Sequence, residues 1–324
     1  MNTRLSFPQL MALSQQCGIP RGALTPLIFS RKGAAPVPLP PFWVAAKRKF
    51  SPQALPFLQV LADPQAVNGI AFVLPDLIIE GSLCYSDPAN RLPQVSLLNS
   101  GKGLRLQSPI PHENLLSVLQ EQLMPETADF QPIALSLPIL DAWLLWALLD
   151  LGREAEKPAI VSVDDLLQAL NRPYRLLQNL AAWFCQAIEL AQPKQKELEA
   201  ALRRLKTQGL VVISQAGGVK AAGVTRRLIQ EFRDLNAFLM LKTSVMLDDK
   251  EGLATMRNWI FQGESGLGLL FFVSDGTAEM ISLAPVQILN LVERLLRDPF
   301  RFFSDKSSAS TASPVRVPDP PESL

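Results

Sequence analysis

The stretch 194–225 constrains this 324-residue chain more than any other. Leu198, Leu202 and Leu205 fall at i, i+4 and i+7, one face of a helix. Gly209 follows where a helix needs a residue tolerant of the left-handed conformation at its C-terminus. Leu210, Val211, Val212 and Ile213 form a short β-prone run. Gly217-Gly218 then supplies a turn before a second run over 219–224. This is the order of the last helix and wing of a winged helix, a motif that binds DNA in many proteins and other proteins in many more. Three helices are expected ahead of it. One covers 139–151, with Leu140, Trp143, Leu144, Ala147 and Leu148 as a broad buried stripe. The second covers 162–170, where Ser162 and Asp165 resemble a capping box with Asp in place of Glu. The third covers 174–191 and carries Leu177, Leu180, Ala181, Phe184 and Ile188.

Two sheet-plus-helix units flank this middle segment. In the first, a helix at 55–62 precedes strand candidates at 69–74, 77–85, 94–98 and 103–108, and a helix starts after Pro111. In the second, a helix at 225–236 precedes strands at 239–247, 258–261, 267–273 and 278–283, and a helix starts at Pro285. Proline suits the first turn, where its missing N–H has no intrahelical partner to lose. Leu115, Leu116, Val118, Leu119 and Leu123 map onto Ile288, Leu289, Leu291, Val292 and Leu296 with one constant shift. Leu104, Leu106 and Ser108 fall near Ala278, Met280 and Ser282. The pattern is that of a duplicated unit; any sheet-then-helix unit also produces something like it. The expected fold class is α+β, an antiparallel meander with helices on one face in each unit. The expected organisation is an N-terminal unit over 1–125, a winged-helix-like domain over 134–225, a C-terminal unit over 226–303 and a disordered Ser/Pro-rich tail over 304–324.

The net charge of +1 argues against nucleic-acid or membrane binding driven by total charge. The charge is uneven, however. Residues 1–62 hold no Asp or Glu but hold Arg4, Arg21, Arg31, Lys32, Lys47, Arg48 and Lys49. This Pro-rich arm reads either as a solvated irregular segment or as a contact for an anionic partner. It also has the composition of an organelle transit peptide, although its prolines would break an amphipathic helix. Residues 5–13 are too interrupted for a signal peptide. Cys17, Cys84 and Cys185 lie far apart among apolar neighbours, so no disulfide framework and no metal site is expected. The apolar run 133–151 contains Pro138, Asp141 and Asp150, which suits a buried core helix better than a membrane span. The expected location is the cytoplasm.

Chemistry-bearing motifs are sparse. His112, the only histidine, sits at a helix start with no nucleophile or carboxylate at a catalytic spacing. Residues 101–103 and 263–268 are glycine-rich but precede strands, so they read as hairpin turns and not as phosphate loops. Asp164-Asp165 suits a helix N-terminus and Asp248-Asp249 a turn. No catalytic, cofactor-binding or metal-ligating residue is assigned, no cofactor is expected, and the protein is expected not to be an enzyme. On the 196–208 helix and its wing, Lys196, Arg203, Arg204, Lys206 and Lys220 form a possible nucleic-acid footprint. A solvated helix face explains the same residues, and Glu197 and Glu199 weaken the footprint. Phe300, Phe302 and Phe303 read equally as a protein-docking segment or as core.

The order of a sheet unit, helices, Leu202, Leu205, Gly209 and Leu210, then a second sheet-and-helix unit over 225–297, resembles the EspG-type chaperones of type VII secretion. That resemblance implies two pseudo-symmetric halves and a cytosolic chaperone that holds a helical export substrate. It carries over no binding residue. The basic arm and the long helical middle depart from the expected pattern. The resulting expectation is a non-enzymatic protein-binding adaptor or chaperone whose partner is another protein. The alternative is a DNA-binding regulator using the winged helix. The sequence leaves the partner and the oligomeric state open.

Overall fold

A computed structural model describes residues 2–6, 8–10, 22–26, 41, 43–44, 49–74, 76–86, 94–99, 103–123, 132–155, 160–173, 179–246, 252–274 and 276–304. Among them the fold is α+β, built on one antiparallel ten-stranded sheet. The strands are β1 (Asn2–Leu5), β4 (Ala66–Leu74), β5 (Leu77–Tyr85), β6 (Val95–Asn99), β7 (Leu104–Gln107), β8 (Ala134–Pro138), β11 (Ala237–Met246), β12 (Leu253–Gln262), β13 (Gly268–Ser274) and β14 (Thr277–Leu283). Their order is β1-β7-β6-β5-β4-β11-β12-β13-β14-β8. Each half of the sheet is a four-stranded meander with its own leading strand returning to the outer edge. Leu5 opposes Leu104 in one half as Leu137 opposes Ala278 in the other. The halves join where β4 pairs with β11, from Val73 opposite Phe238 to Ala66 opposite Val245. Small separate ladders pair β2 (Trp43–Val44) with β3 (Lys49–Phe50), and β9 (Val211–Ile213) with β10 (Val219–Ala221).

Strict alternation dictates the layering. Along β4 every second residue from Ala66 to Leu74 is buried and the residues between them are half-buried, as the two-residue period of a strand requires. Ile70, Phe72, Leu239, Leu241, Ile260 and Leu270 point to one face of the sheet. Two helices cover that face, α2 (His112–Gln122) and α8 (Pro285–Arg297). They present matching stripes. Leu115, Leu119 and Leu123 are buried, as are Ile288, Val292 and Leu296.

The opposite face carries two separate layers, so helices lie on both faces and not on one as expected. Over the first half, α1 (Leu55–Ala62) packs on Cys84, Val95, Leu97, Leu104 and Leu106. Over the second half sits a helical lobe of α3 (Ile139–Glu154), α4 (Val163–Leu170), α5 (Leu180–Ile188), α6 (Gln195–Thr207) and α7 (Gly223–Glu231). Helix α3 is the axis of this lobe and is buried without interruption from Asp141 to Asp150. Trp146 and Trp183 meet Phe261 and Phe271 of the sheet with ring centroids 5.1–6.2 Å apart. Each such fully buried aromatic or aliphatic side chain contributes about 1.5–3 kcal/mol.

Most elements lie where the sequence placed them. Helix α1 and strand β5 match at both ends. The Ser162–Asp165 capping box is present, with Ser162 Oγ accepting from the Asp165 N–H at 3.1 Å. Gly209 sits at φ +71° and the Leu210 N–H donates to the Leu205 carbonyl at 2.9 Å, closing α6 as a left-handed C-terminus should. Differences cluster at edges and ends. Residues 2–5 and 134–138, read as arm and helix, are edge strands. Strand β12 begins at Leu253, five residues earlier than the apolar run suggested. The boundary drawn at 225 falls inside α7, and β8 belongs to the sheet. Residues 174–178 of the third expected helix, the tail beyond 304, and Asp248-Asp249 lie outside the described residues.

Candidate functional site

Among the described residues, the two layers on one face of the sheet belong to separate hydrophobic clusters. Along β4, Val67 packs against the α1 layer and Val73 against the helical lobe. The two residues are about 20 Å apart at roughly 3.3 Å per strand residue. Between them Gly69 and Ala71 are half-exposed on the same face. The neighbouring strands extend this floor. Gly69 opposes Ser82 on β5 and Lys242 on β11, and Lys242 in turn opposes Arg257 on β12. Ala71 opposes Glu80 on one side and Met240 on the other. Lys242, Arg257 and Glu80 are exposed, and Ser82 and Met240 are half-exposed. A helix with its side chains is 10–12 Å across, less than the separation of Val67 and Val73.

Lys242 and Arg257 stand directly opposite one another, an arrangement that costs stability in a sheet. Arg257 is held by one hydrogen bond from Nη1 to the Ala187 carbonyl at 2.9 Å, near the partly negative C-terminus of α5. Among the described residues no carboxylate pairs with Lys242 or Arg257. The floor is therefore small in side-chain volume, basic at one end and acidic at Glu80 on the other.

The residues of the expected nucleic-acid footprint have different surroundings. Arg204 clamps the fully buried Asp141 of α3, with Nε 2.9 Å and Nη2 2.5 Å from its carboxylate. Arg203 is exposed and leans on Glu199 at 3.9 Å. Lys196 and Lys206 are exposed on α6, and Lys220 is half-buried on β10. Phe300 and Phe303 are half-buried against the core under α2 and α8, which takes them from a free docking segment. The side chain of Phe302 lies outside the described ones.

His112 is half-buried at the start of α2 and stacks on Tyr85, ring centroids 6.3 Å apart. Burial, and secondarily Arg297, lower its pKa below the ordinary imidazole value. Tyr85 and Asn68 complete a small polar cluster that caps α8. Tyr85 donates to the Leu296 carbonyl at 2.5 Å and Asn68 to the Leu295 carbonyl at 2.7 Å. Burial pushes the Cys84 thiol up to about 12 and also raises that of Cys185. Among the described residues no cluster of His, Cys, Asp or Glu has metal-site geometry, and no helix is long and apolar enough to cross a membrane.

The sequence carries a signal for the trough. Lys242 is the one charge in its strand, after the apolar run Ala237–Leu241 and ahead of Thr243-Ser244 and Val245-Met246. A charge at the middle of a strand at the middle of a large sheet marks an uncovered face. Gly69 and Ala71 of β4 mark the same face from the neighbouring strand.

No family profile matches this chain, and no curated protein does. Among solved structures, the type VII secretion system chaperone EspG5 of Mycobacterium tuberculosis, determined in complex with a PE25–PPE41 dimer, is weakly similar. It is 13% identical, the match covers 79% of this chain and 80% of that one, and the TM-score is 0.39.

Proposed function

We propose that this protein is a non-enzymatic protein-binding adaptor or chaperone that receives its partner in the trough. The observation that carries the reading is Lys242 opposite Arg257 on a floor of Gly69 and Ala71. Two like charges held side by side on a bare sheet face are destabilising alone and favourable once a partner brings carboxylates to them. The width of the trough suits a helical element. The partner is therefore a protein segment presenting acidic residues at a helix surface or tip. Free thiols at Cys84 and Cys185 suit a reducing compartment such as the cytoplasm. We also infer that the two halves arose by duplication. The mirrored strand order and the matching burial of α2 and α8 support this.

We read the central helices, hairpin β9–β10 and the bridge between Val161 and Val219 as a winged-helix-like domain. In this reading that domain braces the sheet through α3, with Arg204 as an internal strut. The test is a photo-crosslinking amino acid placed at Ala71, with Asn290 on the exposed side of α8 as the control. The expected outcome is a discrete protein adduct in the native cell from position 71 alone. Adducts of equal yield from both positions, or crosslinks to DNA, would overturn the proposal.

A further inference from the structure

Away from the trough, the C-terminal end of α3, strand β10 and helix α7 enclose a cavity of about 170 Å³. Leu148, Ala155, Val161 and Ile229 form its apolar wall. Gly152 allows this shape, because a Cβ there would meet Ile229 Cδ1 at 2.5 Å. The polar rim is uniform in sign, with Lys220, Arg226 and Arg233 at the mouth and no acid among the described lining residues.

Three of the nearby carboxylates are engaged elsewhere. Asp150 accepts from the Leu180 and Ala181 N–H groups at 2.9 and 2.8 Å. Glu154 pairs with Arg172, and Glu231 accepts from the Ser265 N–H at 2.9 Å. Three cations thus line an apolar cleft that has no acid among its described lining residues, while Asp234, next to Arg233 in the chain, interacts with Arg153. This arrangement matches an amphipathic anion, with the tail in the cleft and the charge at the rim.

We propose that this cavity binds a short aliphatic carboxylate. Its size sets the ligand. A cavity of roughly 150 Å³ accommodates benzene, so 170 Å³ holds about six to eight non-hydrogen atoms. Hexanoate, with eight, is near the upper limit. The carboxylate sits between Arg226 and Arg233, with Lys220 on the third side, and the methylenes lie on Leu148, Val161 and Ile229.

The test is a ligand-observed NMR titration of the full chain with acetate, butanoate, hexanoate and hexanamide at one ionic strength. Affinity should rise about threefold to fourfold for each added methylene, and hexanamide should bind at least tenfold more weakly than hexanoate. Arg226→Gln/Arg233→Gln should weaken hexanoate at least tenfold. Ala221→Leu, which fills the cleft and leaves the charges, should also weaken it while the unfolding midpoint is retained. Absence of saturable hexanoate binding, equal binding of acid and amide, or unchanged affinity in the double variant would each overturn the site. The acid–amide comparison uses the natural chain and stands even if a variant fails to fold.

Discussion

Arg204→Ala separates a structural from a nucleic-acid role for the helix-and-wing motif. Asp141 is fully buried and its carboxylate is met by two guanidinium nitrogens of Arg204, whose own side chain is 46% exposed. Truncating one member of a fully buried pair leaves an uncompensated charge and costs about 3–5 kcal/mol. The half-exposed guanidinium lets water reach the carboxylate after truncation, which reduces the expected loss to about 2–3 kcal/mol. Arg203, 78% exposed and 3.9 Å from Glu199, should cost less than about 0.5 kcal/mol when truncated. In urea unfolding with a slope of about 2–3 kcal/mol/M, Arg204→Ala should lower the midpoint by about 1 M and Arg203→Ala should hardly move it. Asp141→Asn in the Arg204→Ala background should recover part of the loss, because the stranded charge is gone. Equal midpoints for the two single variants, or no recovery in the double variant, would refute the strut.

Three further outcomes follow from buried polar groups. Burial raises the pKa of Asp150 to about 6 from 3.8. Between those values the folded chain holds a proton that the unfolded chain has released, so stability falls as pH rises through this window. The fall is at most about 3 kcal/mol. Asp150→Asn should remove that slope, and urea midpoints of both proteins from pH 4 to pH 7 check it. His112 has the opposite sign, its pKa lowered chiefly by burial. Stability is therefore lost as pH falls through the unfolded imidazole value, and His112→Gln should flatten that limb of the same profile. Tyr85→Phe should cost about 1–3 kcal/mol by leaving the Leu296 carbonyl without its 2.5 Å donor, read as a lowered thermal midpoint.

The two stripes on α2 and α8, the α6–Gly209–hairpin sequence and the capping box at Ser162 were legible because each is local. Their residues lie within one or two turns of each other, where periodicity and capping chemistry act. The edge strands were not. Residues 2–5 and 134–138 become strands only because β7 and β14 offer them partners roughly a hundred residues away or more, and nothing in four or five residues announces that. The start of β12 was missed for a related reason. Ala254, Thr255, Met256 and Arg257 alternate half-buried with exposed, one face lying towards the trough, so no continuous apolar run marks them. The role of Arg204 was hidden likewise. Whether an exposed-face arginine meets phosphate or a buried aspartate depends on where α3 lies, and Asp141 is 63 residues away in sequence.

The most direct test of the account is the affinity of the crosslinked partner for two double variants. Lys242→Glu/Arg257→Glu reverses the basic end of the trough, and Arg203→Ala/Lys206→Ala removes exposed charge from α6. With both variants retaining the natural unfolding midpoint, the account predicts at least a tenfold loss for the first and an unchanged affinity for the second. An unchanged affinity for the trough variant, with the loss falling on the α6 variant, would contradict it and return the binding surface to the helix and its wing.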